Sequence, residues 1–362
     1  MSEFRTSWPA AAALVTGGLL VAVVLAEVAL RWFVPPRAGT DLARLHELRP
    51  DKPWLYGMRP GVVVEGRGGV RYEINSAGFR GAPPAPRKEA ATLRIAVLGD
   101  SVTFGYGVNQ EDTFSTLLAE RLARDVPARR IEVLNLGVSG YNPYTEAALF
   151  ADLGPTLAPD VVLVQFCIND LNDPTMHFDA STTAALGPLP AAAYPEPPAA
   201  PRAAPPDCHG LRLCELVRDV WQPRPGPDDP ATIGATVRPH DPPNDRELGW
   251  LAERYGEIGR TARAIGAHPV LVIFPYATQL APGAPSATAA ALTRLAADLG
   301  WTSIDLLPAY REAAQHGAVL FADLWHPTVA GHRLAANVIA DSLRRHGLLA
   351  PRETAATLQR RR

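Results

Sequence analysis

The stretch LRIAVLGDSVTFGYG, residues 93–107, decides the fold. Its first seven residues are apolar at nearly every successive position, the pattern of a strand buried on both faces, as in a parallel sheet. The run then breaks at Gly-Asp-Ser, and a helical pattern starts near Thr113. Similar strand-length runs recur at 131–137 (IEVLNLG), 161–167 (VVLVQFC), 269–274 (PVLVIF) and 302–307 (TSIDLL). Helical patterns lie at 113–124, 145–153, 247–265, 284–299 and 329–345. In the last of these, Leu334, Val338, Ile339 and Leu343 recur on one face. Such alternation predicts a parallel sheet covered by helices on both sides, with right-handed crossovers. In sheets of this kind the reactive site forms at the carboxyl ends of the strands.

The proline distribution shows where the pattern is interrupted. The chain of 362 residues carries 36 prolines, about double the usual share, and 15 of them fall between 188 and 243. That density forbids helix interiors and central strands, so 188–243 reads as an insertion, either a lid over the site or a spacer. Residues 35–90 read as a linker with two short β-like runs, Val62–Val64 and Val70–Ile74, followed by NSAGFRG. The expected organisation is therefore an anchor over 1–34, a linker and small β-hairpin over 35–90, an α/β domain over 91–350 and a basic tail over 351–362.

Between Arg5 and Arg31 the only ionisable side chain is Glu27. As a helix, residues 10–30 span about 31 Å, enough to cross a hydrocarbon core of ~30 Å. An uncleaved transmembrane anchor is the expected reading, with a cleaved signal peptide and a buried core helix as the alternatives. Positive charge after the segment argues for a cytoplasmic domain, but long domains cross membranes largely regardless of charge. Cys208 and Cys214, six apart, either close a small disulfide loop in an oxidising compartment or stand as two free thiols in a loop. The balance favours an extracytoplasmic, periplasmic placement.

Composition narrows the function. A net charge of -2 lacks the basic footprint of a nucleic-acid binder. Three cysteines exclude a disulfide-dense scaffold, and no CxxC pair marks a zinc site. Asp170, Asp173 and His177 match no tight metal motif, and no cofactor fingerprint is visible. Chemistry concentrates instead at strand ends. Ser101 follows the first strand on a turn beside small residues, where a nucleophile is exposed. The second strand ends NLGVSGYN, offering the Gly140 N–H to an oxyanion. The third ends CINDLND, offering the Asn169 amide, and DLWHP places Asp323 three residues before His326. His332 is expected to face solvent or to cap packing.

This ordered set resembles the SGNH (GDSL-type) serine hydrolase superfamily. Gly99-Asp100-Ser101, Gly140, Asn169-Asp170 and the Asp323–Pro327 block correspond to its four blocks in order. The NSAGFRG hairpin looks like the membrane-anchored bacterial members. The resemblance covers roughly residues 92–346 outside the insertion. It implies a three-layer α/β/α sandwich with a central five-stranded parallel sheet, of SGNH/flavodoxin-like type. It also implies Ser101 as nucleophile, His326 as general base and Asp323 as its orienting acid, with Ser101 N–H, Gly140 N–H and Asn169 forming the oxyanion hole. The family's third block usually reads GxND, and here Cys167 stands in place of the glycine.

The expected activity is hydrolysis of an O-acyl ester, such as a short acyl group on an envelope saccharide or lipid, without cofactor or metal. The expected partners are that ester substrate and the membrane, with no nucleic acid. Two alternatives use the same residues: an O-acyltransferase to a cell-surface saccharide, and a catalytically silent envelope binding protein.

Overall fold

The computed structural model describes residues 8–33, 42–171, 213–214, 242–284 and 286–350. Nearly all of the expected 188–243 insertion, with Cys208, and the 351–362 tail lie outside the described residues, as do Asp173 and His177. Helix α1 (Trp8–Phe33) is the one helix, among the described residues, long and apolar enough to cross a membrane. Its Ala12–Leu30 window is not buried against the rest of the chain, which sets aside the core-helix alternative. Near its end Glu27 accepts a hydrogen bond from the Leu213 N–H at 2.8 Å.

After α1 come two short antiparallel hairpins, β1 (His46–Leu48) with β2 (Tyr56–Met58), and β3 (Val63–Glu65) with β4 (Arg71–Glu73). The second lies on the β-like runs at 62–64 and 70–74; the first, whose strands HEL and YGM carry no β-branched residue, does not stand out in the sequence. Both are tied to the main domain. Lys52 and Trp54 each donate to Asp152 at 3.0 Å. Arg80, almost wholly buried, lies over the Tyr72 and Phe104 rings. It donates to the carbonyls of Phe104, Gly105 and Val108 at 2.6–2.9 Å. Those carbonyls belong to the loop following residue 101, so the NSAGFRG segment braces that loop.

The central sheet holds β5 (Thr92–Leu98), β6 (Arg130–Asn135), β7 (Val161–Phe166), β8 (His268–Ile273) and β9 (Thr302–Asp305), all parallel, in the order β6-β5-β7-β8-β9. Every residue of β5 and β7 is buried, as their mainly apolar runs require. Helices α3 (Phe114–Asp125) and α8 (Val329–Arg345) pack together on one side. Helices α4 (Pro143–Leu157), α5 (Asp245–Ala264) and α6 (Ala287–Asp298) cover the other. The fold is the expected α/β/α sandwich. Arg94, buried near the amino end of β5, is satisfied by Glu132 at 2.7 Å and the Leu157 and Ala85 carbonyls; unpaired, a charge there would be expensive.

Two expectations change. The last strand stops at Asp305 rather than 307, because Asp305 accepts the Leu307 N–H at 2.9 Å and Pro308 starts α7 (Leu307–Gln315). His332 does not face solvent. It is fully buried, stacks on Phe114 and accepts the Phe114 N–H on Nδ1 at 3.2 Å. Burial, then the positive charges of Arg80 and His326, push its pKa down to about 3.

His332 is thus neutral when folded, whereas an unfolded imidazole titrates near 6.5. Between those pH values the unfolded chain binds more protons. The stability His332 contributes is complete above about pH 6.5 and is lost as pH falls toward 3. His332→Leu is expected to cost about 1–3 kcal/mol at neutral pH by orphaning the Phe114 N–H. It should also flatten the acid side of the stability curve, and denaturant unfolding at several pH values measures both.

Candidate active site

Ser101 opens helix α2 (Ser101–Phe104), a single turn at the carboxyl end of β5. Asp100 caps it, its Oδ1 accepting the Val102 N–H at 2.9 Å. As the first helical residue, Ser101 has no intrahelical acceptor for its own N–H. The chain approaches closely on two sides. A Cβ on Gly99 would lie 2.2 Å from Thr103 Oγ1, and one on Gly137 would lie 2.4 Å from the Phe104 nitrogen. Asn135, at the end of β6, donates to the Thr103 carbonyl at 2.7 Å and accepts the Gly137 N–H at 3.0 Å. The serine is therefore held by backbone packing rather than by its own side chain.

From the far end of the chain, the loop before α8 brings His326 to the serine, Nε2 lying 2.9 Å from Ser101 Oγ. His326 Nδ1 is 2.5 Å from Asp323 Oδ2. A carboxylate only accepts, so Nδ1 carries the proton and Nε2 turns its lone pair to the serine. Asp323 Oδ1 accepts the N–H groups of Trp325 and His326 at 3.0 and 2.7 Å. Burial alone would raise the Asp323 pKa, but the His326 ring, its charge and these two N–H groups outweigh burial and hold it below the usual value. The loop is fastened by Ala322 N–H to the His326 carbonyl and by Ala277 N–H to the Leu324 carbonyl.

Asn169, in the short turn after β7, donates from Nδ2 to Asp100 Oδ2 at 2.8 Å, leaving its second amide hydrogen to point elsewhere. Gly140 sits in the loop after β6 at φ +84°. Cys167, where glycine is usual, is a buried free thiol whose N–H is taken by Asp170 at 2.8 Å. Burial, then the charges of Asp100 and Asp170, raise the thiol well above its normal range, which makes it an unreactive packing residue. Burial, then the charges of Asp170 and Asp100, raise Glu146 well above ordinary carboxylates, and burial, then the charge of Asp100, does the same to Asp170. Among the described residues, no group of three or more His, Cys, Asp or Glu side chains is placed to hold a metal.

All the sequence-derived site residues thus lie at carboxyl-end loops, with Ser101, His326 and Asp323 in one hydrogen-bonded line. The sequence reading missed Asp100, which joins two strand ends, and Tyr106, whose ring lies 4.5 Å from the His326 ring. Trp325 stands edge-on to the same imidazole at 6.0 Å. An aspartate directly before the serine was a visible signal for the first; for Tyr106, only its place in the loop after the serine pointed to the site.

A family profile described as GDSL-like lipase/acylhydrolase matches residues 97–334. Comparison with curated proteins returns no match. Similar solved structures include an α/β hydrolase from the metagenome of Lake Arreo, Spain, at 20% identity and TM-score 0.43, covering 71% of this chain and 96% of that one. The psychrotrophic esterase EstA from Pseudoalteromonas sp. has 14% identity and TM-score 0.40, covering 70% and 98%. A mutant acetyl-xylooligosaccharide esterase from Geobacillus has 16% identity and TM-score 0.42, covering 69% and 93%.

Gly137 provides a direct test of how the serine turn is held. Gly137→Ala must push α2 aside, because the atoms its methyl would meet are backbone. It is expected to destabilise the fold by about 1–3 kcal/mol and to lower ester turnover in the fraction that remains folded. Thermal melts run alongside turnover assays separate the two effects.

Proposed function

The chain belongs to the GDSL-like lipase/acylhydrolase family of ester hydrolases, and from that premise we propose a serine esterase that cleaves an O-acyl ester with Ser101, His326 and Asp323. The substrate in this reading carries a short acyl group on an envelope saccharide or a lipid. The observation that carries the proposal is the 2.9 Å approach of His326 Nε2 to Ser101 Oγ, with Asp323 at the other ring nitrogen.

In this mechanism Ser101 Oγ attacks the ester carbonyl while His326 Nε2 takes its proton. Asp323 keeps the imidazole in the required tautomer and stabilises the imidazolium that forms. The carbonyl oxygen becomes an oxyanion facing the Ser101 and Gly140 N–H groups and the Asn169 amide. Fixed donors of this kind lower the barrier by about 3–4 kcal/mol each. His326 then hands its proton to the leaving alcohol, and a water molecule activated by the same ring releases the acid. Tyr106 and Trp325, flanking His326, offer aromatic faces against which an acyl chain or the apolar side of a sugar can pack. A silent binding protein would have no need of the complete Ser–His–Asp line.

Placement follows the same reading. We propose α1 as an uncleaved anchor with the α/β domain outside the cytoplasm. Two features support it: the exposed apolar Ala12–Leu30 window and the participation of Cys214 in a disulfide, a bond that persists in oxidising compartments. Full-length protein is expected in the membrane fraction at its unprocessed mass. A shortened mature chain in the soluble fraction would instead identify the segment as a cleaved signal.

Unequal costs are expected among the site residues. Ser101→Ala and His326→Ala should each lower kcat by about 10⁴-fold or more, since nucleophile and base act as a unit. Asp323→Asn should be damaging but milder. Asn169→Ala should cost about 10²–10³ in kcat with little change in KM. Folded Ser101→Ala with wild-type turnover on every ester tested would overturn the assignment. After the burst of leaving alcohol, the fate of the acyl group, as free acid or as acylated saccharide when acceptor saccharides are added, separates hydrolysis from acyl transfer.

A further inference from the structure

We propose that His46, in the first hairpin after the anchor, is a positioning residue that fixes the Gly140 peptide and so completes the oxyanion side of the site. The proposal rests on the serine-esterase reading above. Residues 138–141 form a β-turn, closed by Tyr141 N–H to the Val138 carbonyl at 3.0 Å. Gly140, its third residue, has φ +84°, which is the type II value of about +80° and not the −90° of type I.

Those two turn types differ by a half-rotation of the central peptide, here Ser139–Gly140. In a trans peptide the carbonyl and the N–H point in opposite directions. Orienting the Ser139 carbonyl therefore orients the Gly140 N–H as well. One state presents a donor to the site, and the flipped state presents a carbonyl oxygen, which would repel an oxyanion.

The buried ring of His46 lies with Nε2 3.2 Å from the Ser139 carbonyl. Since that carbonyl can only accept, Nε2 carries the hydrogen. Tyr56, the first residue of the partner strand β2, clamps the next part of the turn. Its carbonyl accepts the Tyr141 hydroxyl at 2.6 Å, and the two rings meet edge to face at 5.1 Å. His46 and Tyr56 are themselves ring neighbours at 5.9 Å. One hairpin thus holds both the carbonyl and the side chain of the turn. Among the described residues, no acceptor takes the Gly140 N–H.

The test uses the full-length protein, p-nitrophenyl acetate turnover and the rate at which a fluorophosphonate labels Ser101. His46→Leu is expected to lower kcat and the labelling rate roughly 3- to 10-fold, the worth of one net hydrogen bond, with KM unchanged. His46→Gln, whose amide reaches the same carbonyl, is expected to recover most of the loss. Tyr141→Phe, which keeps the ring and removes the second clamp, is expected to show a smaller fall of the same kind; it carries the test if His46→Leu does not fold. Wild-type kcat in folded His46→Leu would overturn the proposal, as would equal losses in His46→Leu and His46→Gln. So would a silent Tyr141→Phe beside an unfolded His46→Leu. Ser101→Ala, run in parallel, separates this failure from that of the underlying reading: a dead Ser101→Ala leaves the esterase assignment intact.

Discussion

The buried carboxylate of Asp100 joins what the sheet would otherwise leave apart. One oxygen caps the single helical turn that carries Ser101, and the other receives the Asn169 amide from the neighbouring strand end. Two pieces of chain separated by 69 residues are thereby set in register at one anion. Burial raises the Asp100 pKa, while the Asn169 and Val102 hydrogen bonds and the nearby imidazole pull it back. The same bonds that stabilise the carboxylate define the site. β5 and β7 are adjacent in the sheet and receive their crossovers from opposite faces, so their carboxyl ends open the crevice such folds use for ligands.

Around this centre the protein surrounds charge and dipole with partners rather than with water. Arg80 spends its guanidinium on backbone carbonyls and two aromatic faces. Burial lowers its pKa to about 10, against the opposing pull of Tyr72 and Glu111, still far above physiological pH. The consequence is mechanical: the loop after the serine is fastened to a hairpin that precedes the whole α/β domain in the chain. The segment between α1 and the α/β domain is therefore a brace of the candidate site and more than a linker.

How far the sequence discloses this depends on the length over which a pattern can repeat. The five strands are legible because β5 and β7 are apolar at successive positions, and the chemical residues are legible because they sit where those runs end. Helix α8 is legible through its large residues, yet Leu334 and Val338 are only half-buried. The deepest face is drawn by Ala335, Ala336 and Ile339, and small alanines conceal that His332 lies on it. Strands of three residues such as β1 and β2 have no room for periodicity, so His46 reads as one more polar residue in a linker. Cys167, where the family usually has glycine, packs its side chain inward, and the Asn169 amide reaches Asp100.

His326 and Asp323 lie on one short loop whose own backbone groups hold the carboxylate. Their mutual geometry is therefore settled locally and travels with the loop as a rigid unit. The contact between His326 and Ser101, by contrast, spans parts of the chain 225 residues apart. Asp323 and His326 thus form a prefabricated unit seated against one remote serine. Whatever loosens the seat of the loop displaces both side chains together, so the contact with Ser101 can open while every bond inside the unit remains intact.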